Sequence, residues 1–201
     1  MGRRIDVVTF RLCVDLNVWI AHFLAEAKGA RVSAARSIVQ AVQEGRAGLG
    51  PVQLVVSHTM LTRLQDVLIR KGATRETSGR FVDLIASFAR LGPAPEFPRM
   101  VLGGGVEPTR DARPALHDPY DPGFLPKRTD TEDGRVLDTA LAGRADALVT
   151  ANFRDFTHHA DAVILRGRIH VRRTAHHEIV IVQPQEMAEW LRSGRIPTPR
   201  L

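Results

Sequence analysis

Asp15, Asp130, Asp133, Asn152 and Asp155 each stand beside a short apolar run. Asp15 closes such a run in LCVDLNVWI. Asp130 and Asp133 precede a helical pattern in RTDTEDGRVLDTALAGRADALVT, which leads into the apolar ALVT. Asn152 and Asp155 follow directly in LVTANFRDF. Carboxylates at strand tips suit a hard cation such as Mg²⁺ or Mn²⁺, which prefers oxygen ligands. Ions held this way polarise a phosphoryl oxygen, lower the pKa of bound water and stabilise the leaving oxygen. Two-ion chemistry needs ions about 3.5–4 Å apart, so several carboxylates must converge. Each residue also has a plainer role open to it. Asp15 and Asp133 are good helix caps, Asn152 and Asp130 are common turn residues, and Asp155 is an ordinary surface charge.

The elements that must position these groups are readable in part. Residues 11–15 read as a short buried strand, and Asn17 reads as the cap of a helix with Val18, Phe23 and Leu24 inward. Ser33 starts a second helix with Ile38, Val39 and Val42 at helical spacing. VQLVVS (52–57) is β-branched and apolar, a parallel-strand pattern. HTMLTRLQDVLIRKG reads as a helix with Leu61, Leu64 and Leu68 on one face, stopped at Gly72. Thr74 to Leu91 gives another, with Phe81, Leu84, Ile85 and Phe88 inward. Residues 92–129, rich in Gly and Pro, read as a long loop or arm with a short strand near Met100–Leu102. A helix over 133–143 and strands at 147–150 and 162–165 follow. Extended segments at 168–173 and 178–182 read as a hairpin, and Pro184 opens a last helix. The alternation of strands and helices predicts an α/β fold with a central, mainly parallel sheet flanked by helices.

The 201 residues carry a net charge of +6 and are 44% hydrophobic, with a pI near 10.6. One domain over residues 1–201 is expected. The basic balance favours a polyanion such as RNA or DNA, or an acidic protein, although an Arg-rich proteome would produce the same bias. The single cysteine, Cys13, lies in the apolar run before Asp15 and reads as a core residue. One cysteine allows no internal disulfide, which suits the cytoplasm. No signal peptide or membrane span is expected.

Other tempting features carry less. His158–His159 and His176–His177 are adjacent pairs, a geometry that does not aim two rings at one metal, and no zinc-type Cys/His spacing occurs. Gly103–Gly105 lacks the G-K-[S/T] of a phosphate-binding loop. In RGRIHVRR, strand alternation would place Arg166, Arg168, His170 and Arg172 on one face. That face is a candidate phosphate-contacting stripe or a charged, aggregation-resistant edge.

Taken in order, VDLNVWI, VVSHTMLTRLQDVL, TDTEDGRVLDTALAGRADALVTANFRDF and, more weakly, IVIVQPQEMAEWL resemble the PIN domain over roughly residues 11–192. Members of that family are mostly metal-dependent nucleases and include VapC-like toxins of bacterial toxin–antitoxin pairs. The resemblance implies a PIN-like three-layer fold. It makes Asp15 the first acidic residue of the site and Asn17 its polar support. Asp133 becomes the acidic residue opening the fourth core helix, with Asp130 its acidic neighbour. Asn152 stands where many members have an acidic residue, with Asp155 close behind, and Ser57 and Thr150 match small hydroxyl residues that organise the site. One departure stands out: Arg63 falls where the family usually presents a glutamate. A cation there would favour ionised carboxylates while weakening metal binding. Asp66, three residues on, is a substitute on roughly the same helix face.

The leading expectation is therefore a Mg²⁺- or Mn²⁺-dependent endoribonuclease of the cytoplasm, with Asp15 and Asp133 as metal ligands. An acidic antitoxin partner and a homodimer are further implications of the resemblance. The alternative, favoured by Arg63, is a catalytically impaired module that binds RNA or a protein. A haloacid dehalogenase-type hydrolase also uses strand-tip aspartates, but Asn17 occupies the second position of its D-x-D pair.

Overall fold

The fold is that of a computed structural model, which describes residues 8–29, 32–94, 100–101, 132–159, 161–174 and 177–196; residues 100, 101, 132 and 133 are described in backbone only. Strand β1 (Phe10–Val14) lies parallel between β3 (Gly50–Ser57) and β5 (Ala147–Val149). In this register Cys13 pairs with both Val55 and Leu148. β8 (Glu178–Val182) adds to β5, again parallel. β7 (Ile169–Arg173) and β6 (Ala162–Leu165) complete that side as antiparallel strands. On the other side, β2 (Arg46–Ala47) pairs antiparallel with the start of β3, and β4 (Met100–Val101) pairs parallel with its end. The sheet order is β2-β3-β1-β5-β8-β7-β6. The expected mainly parallel sheet is thus present, and so is the 169–182 hairpin.

The central strands are apolar at consecutive positions because both faces of the sheet are covered. Leu12, Cys13, Val14, Leu54, Val55, Leu148 and Val149 are all buried. The covering helices begin where the sequence supplies side-chain caps. Ser33 Oγ accepts from Arg36 N at 3.1 Å and starts α2 (Ala34–Glu44), which Gly45 ends at φ 63°. Ser57 Oγ accepts from Met60 N at 3.2 Å and starts α3 (His58–Arg70). Thr74 Oγ1 accepts from Thr77 N at 3.0 Å and starts α4 (Arg75–Leu91). α5 (Glu132–Ala142), α6 (Phe153–Phe156) and α7 (Pro184–Ser193) follow.

Two expectations need correction. α1 spans Leu16–Ala27 and is capped by Asp15, not by Asn17, which lies inside its first turn. Leu84 is 48% exposed although Ile85 beside it is fully buried. One residue turns a helix by about 100°, and this turn carries Leu84 away from Ala86 and off the stripe of Ser78, Ile85, Ala86 and Ala89. Within 92–129 the strand at Met100–Val101 is present; residues 95–99 and 102–129 lie outside the described residues. Among the described residues no helix is long and apolar enough to cross a membrane.

This topology defines where a site can form. From β1 the chain goes to β3 on one side, and later to β5 on the other. The connections therefore part company between β1 and β5. In open α/β sheets, ligands bind at such a switch point, outside the carboxyl ends of the strands.

Candidate active site at the carboxyl ends of the central strands

Asp15 is the first residue beyond β1 and Thr150 the first beyond β5, so the two meet at the switch point. Asp15 is only 3% exposed. A buried carboxylate must be hydrogen-bonded to be tolerated, and this one is. Leu16 N donates to Oδ1 at 2.6 Å, Thr150 Oγ1 donates to Oδ2 at 2.7 Å, and Asn17 Nδ2 donates to the same oxygen. Asn17 also ties the next loop down: its Oδ1 accepts from Ala151 N at 3.1 Å, and its Nδ2 lies 3.2 Å from Thr150 Oγ1. Thr150 Oγ1 in turn accepts from Asn152 N at 2.9 Å. One small network thus fixes Asp15, Asn17, Thr150 and Asn152 relative to one another. Asn152 Nδ2 donates to Asp155, and both residues are exposed.

α5 brings its first turn to the same end of the sheet. Gly143, just past α5, lies so close to β3 that a Cβ there would overlap Val55 Cγ1. One turn earlier, Thr139 Oγ1 hydrogen-bonds Ser57 Oγ at 3.0 Å. Moving from 143 back to 139 along the helix therefore means moving from 55 forward to 57 along the strand. α5 runs antiparallel to β3, and its first turn, with Asp133, projects beyond the carboxyl ends. Six residues at 1.5 Å put Asp133 about 9 Å beyond the level of Thr139. Asp130 lies outside the described residues. Among the described residues no three His, Cys, Asp or Glu side chains are grouped to hold a metal ion.

Ser57 does double duty, capping α3 and accepting the bond from Thr139. Thr139 was not singled out from the sequence. Its signal is a hydroxyl on an otherwise small, apolar helix stripe with Val136, Ala140 and Gly143. Arg63 and Asp66 are both exposed on α3, and Asp66 makes no hydrogen bond or ion pair among the described residues. The expected stripe of Arg166, Arg168 and Arg172 does not form. Arg166 and Arg168 lie in the β6–β7 turn, not in a strand, so alternation does not apply to them. Arg172 is buried: its Nε and Nη2 each bond the Asp161 carboxylate at 2.9 Å, and Nη2 also donates to Phe156 O at 3.0 Å. Asp161 Oδ2 accepts from His158 N at 2.7 Å as well. That ion pair holds the segment after α6 against the hairpin.

The Cys13 thiol lies on β1 two residues before Asp15. Burial first, and the Asp15 carboxylate second, push its pKa far above the ordinary value. It is an inert core thiol, not a nucleophile. The polar side chains that this end of the sheet offers are oxygen donors: Asp15, Asn152 and Asp155, with Asp133 on the first turn of α5.

No curated protein and no solved structure matches this chain. A family profile described as PIN domain matches residues 11–154, a span that runs from β1 through the first residues of α6. It includes Asp15, Ser57, Asp133, Thr150 and Asn152, and it ends before the β6–β7 hairpin. The matched span covers well over half of the chain, and its fold is of the nuclease type: the protein belongs to the PIN-domain family.

Proposed function

We propose that this protein is a divalent-metal-dependent endoribonuclease that hydrolyses RNA phosphodiester bonds. The observation that carries the reading is Asp15. It is a buried carboxylate at the switch point, ordered by three donors, on the side of the sheet where α5 projects the turn bearing Asp133. Oxygen donors alone suit Mg²⁺ or Mn²⁺. Asp15 and Asp133 would hold the ion, with Asn152 and Asp155 alongside. When bound, the ion would supply charge stabilisation at the phosphoryl group and a more acidic water. This chain's own residues do the rest. Thr150 and Asn17 fix the Asp15 carboxylate, and Asn17 and Thr150 together order the loop that carries Asn152. In this reading one domain spans the chain, a second copy completes a homodimer, and an acidic antitoxin in the cytoplasm silences it, in keeping with the +6 charge.

The test is Mn²⁺ titration by calorimetry together with cleavage of single-stranded RNA, using wild type and Asp133→Asn. Binding and cleavage by the wild type alone are expected. Equal cleavage by both proteins overturns the assignment. The position of Arg63 favours a second reading, an RNA-binding module without cleavage. On that reading RNA binding persists in EDTA, and no divalent ion restores hydrolysis.

A further inference from the structure

β8 runs parallel to β5, and β7 runs antiparallel to β8 with Ile169 opposite Val182. The β6–β7 turn, Arg166-Gly167-Arg168, therefore lies at the same end of the sheet as Asp15 and Thr150. The turn is braced there. Gln183 N donates to Arg168 O at 3.0 Å, Gln183 Nε2 donates to Gly167 O at 2.9 Å, and Arg168 Nη1 pairs with Glu186 at 3.0 Å. Gly167 adopts φ 70°, a left-handed conformation that glycine accepts without strain. Arg166, beside it, is exposed and has no hydrogen-bond or ion-pair partner among the described residues.

A second arginine stands on α6, the helix that follows the loop of Asn152 and packs on the hairpin through Phe153. α6 buries Phe153 and Phe156, and Phe153 packs edge-on against His170 of β7 at 4.9 Å. Arg154 follows Phe153, is exposed, and likewise has no partner among the described residues. The carboxylates nearby are committed elsewhere: Glu186 to Arg168, Asp155 to Asn152, and Asp161 to Arg172. The buried Asp161–Arg172 pair fixes the end of α6 to the hairpin, so both arginines stand on a rigid support.

The geometry points to a phosphate-binding track, formed by Arg154 and the β6–β7 turn residue Arg166, that holds a single-stranded RNA beside the acidic site. It deepens the nuclease reading and rests on it for the direction of the strand towards Asp15. From β1 to β7 is three strand spacings, about 14 Å at 4.7–4.9 Å each. At about 3.4 Å per stacked nucleotide that is roughly four nucleotides. The scissile phosphate would sit at Asp15, with Arg154 and Arg166 neutralising phosphates successively further along the strand. Exposed guanidinium groups suit this role, because they bind phosphate oxygens in a forked geometry, and neither has an ion pair to break among the described residues. Arg154 is the last residue of the span that matches the family, and the turn with Arg166 lies beyond it.

The test is fluorescence anisotropy with a labelled 12-nucleotide single-stranded RNA in EDTA, over a range of salt. Wild type, Arg154→Gln, Arg166→Gln and the double variant are compared with Arg46→Gln. Arg46 is also an exposed arginine, at the opposite end of the sheet, where β2 meets the start of β3. The expected result is weaker binding, with a log–log salt slope shallower by about 0.7 for each track arginine, and no change for Arg46→Gln. Unchanged slopes in the double variant, an equal effect from Arg46→Gln, or no RNA binding by wild type would each overturn the proposal. So would a poly-glutamate peptide that competes as well as RNA of the same charge. Because the readout is metal-free binding, a protein that cleaves nothing still reports on the track, and the nuclease reading fails or stands by the separate cleavage assay.

Discussion

Thr150 Oγ1 donates a 2.7 Å hydrogen bond to Asp15 across the gap between two adjacent parallel strands. The bond joins the ends of β1 and β5, and it orients the carboxylate most buried in the site. Thr150→Val keeps the shape and removes the donor. Partners that orient metal ligands are worth about 10- to 100-fold in metal affinity. Calorimetry should show Mn²⁺ binding weakened within that range, with the circular dichroism spectrum unchanged. Undiminished Mn²⁺ binding would show that the hydroxyl does not set the ligand geometry.

Asp133→Asn tests a proposed ligand itself. Its effect on Mn²⁺ affinity should exceed that of Thr150→Val, beyond the roughly 100-fold upper range for orienting partners, and RNA cleavage should be lost. Thermal unfolding should shift only slightly, because Asn keeps the side chain's shape and the loss is confined to one charge at a helix N-terminus, about 0.3–1 kcal/mol. A variant as active as wild type would remove Asp133 from the site.

The Asp161–Arg172 pair is nearly solvent-free, at 3% and 10% side-chain exposure. Removing one partner of a buried pair strands the other charge and typically costs about 3–5 kcal/mol. Arg172→Met should therefore lower the urea midpoint sharply, and adding Asp161→Leu should recover part of the loss. A midpoint within experimental error of wild type for Arg172→Met would show that the pair contributes little.

His22 provides a pH signature. It stacks on Phe81 with a centroid distance of 6.2 Å, and its Nδ1 is buried with no hydrogen-bond partner among the described residues. Burial chiefly, together with the Arg36 charge, holds its pKa below the ordinary 6.5, against an upward pull from Glu26. The folded imidazole is thus harder to protonate than the unfolded one. Between the lower folded value and 6.5 the unfolded chain binds more protons, so stability rises with pH there. The contribution is intact above about 6.5 and is lost as pH falls through that window. Denaturation midpoints measured from pH 7.5 to 5 should fall less steeply in His22→Phe. Parallel slopes would show that His22 does not contribute.

Much of the fold was legible because local signals agreed with it. Ser33 and Thr74 cap the helices that their positions predicted, and VQLVVS is a parallel strand with apolar side chains on both faces. The misses have physical causes. Leu84 is apolar but one position off the buried stripe of α4. Asp15, not Asn17, caps α1, since a carboxylate ending a strand also presents acceptors to the next helix. At the site, the positions of Asp15, Thr150 and Asn152 were readable because strand ends in a parallel sheet gather at one edge. Arg172 was misread. Alternation places a side chain on a face but cannot say that Asp161, eleven residues earlier, waits there to bury it. Thr139 escaped notice because a hydroxyl on a helix stripe gains meaning only once Ser57 is known to face it.

From Leu12 to Val14, β1 is apolar on both faces, and all three residues are fully buried. A strand of this kind gains nothing in hydrophobic burial from one register over its neighbour by a single step, because either parity buries the same kinds of side chain. Register is strongly specified only where a slip would move something costly. Here that includes Asp15, which meets Thr150 Oγ1 only when Val14 stands beside Val149, although its other donors, Leu16 N and Asn17 Nδ2, lie on its own helix. The residue proposed for chemistry is thus also the strand's alignment mark. Replacing it would remove a proposed ligand and, at the same time, part of the penalty that keeps misaligned sheets from competing with the native one.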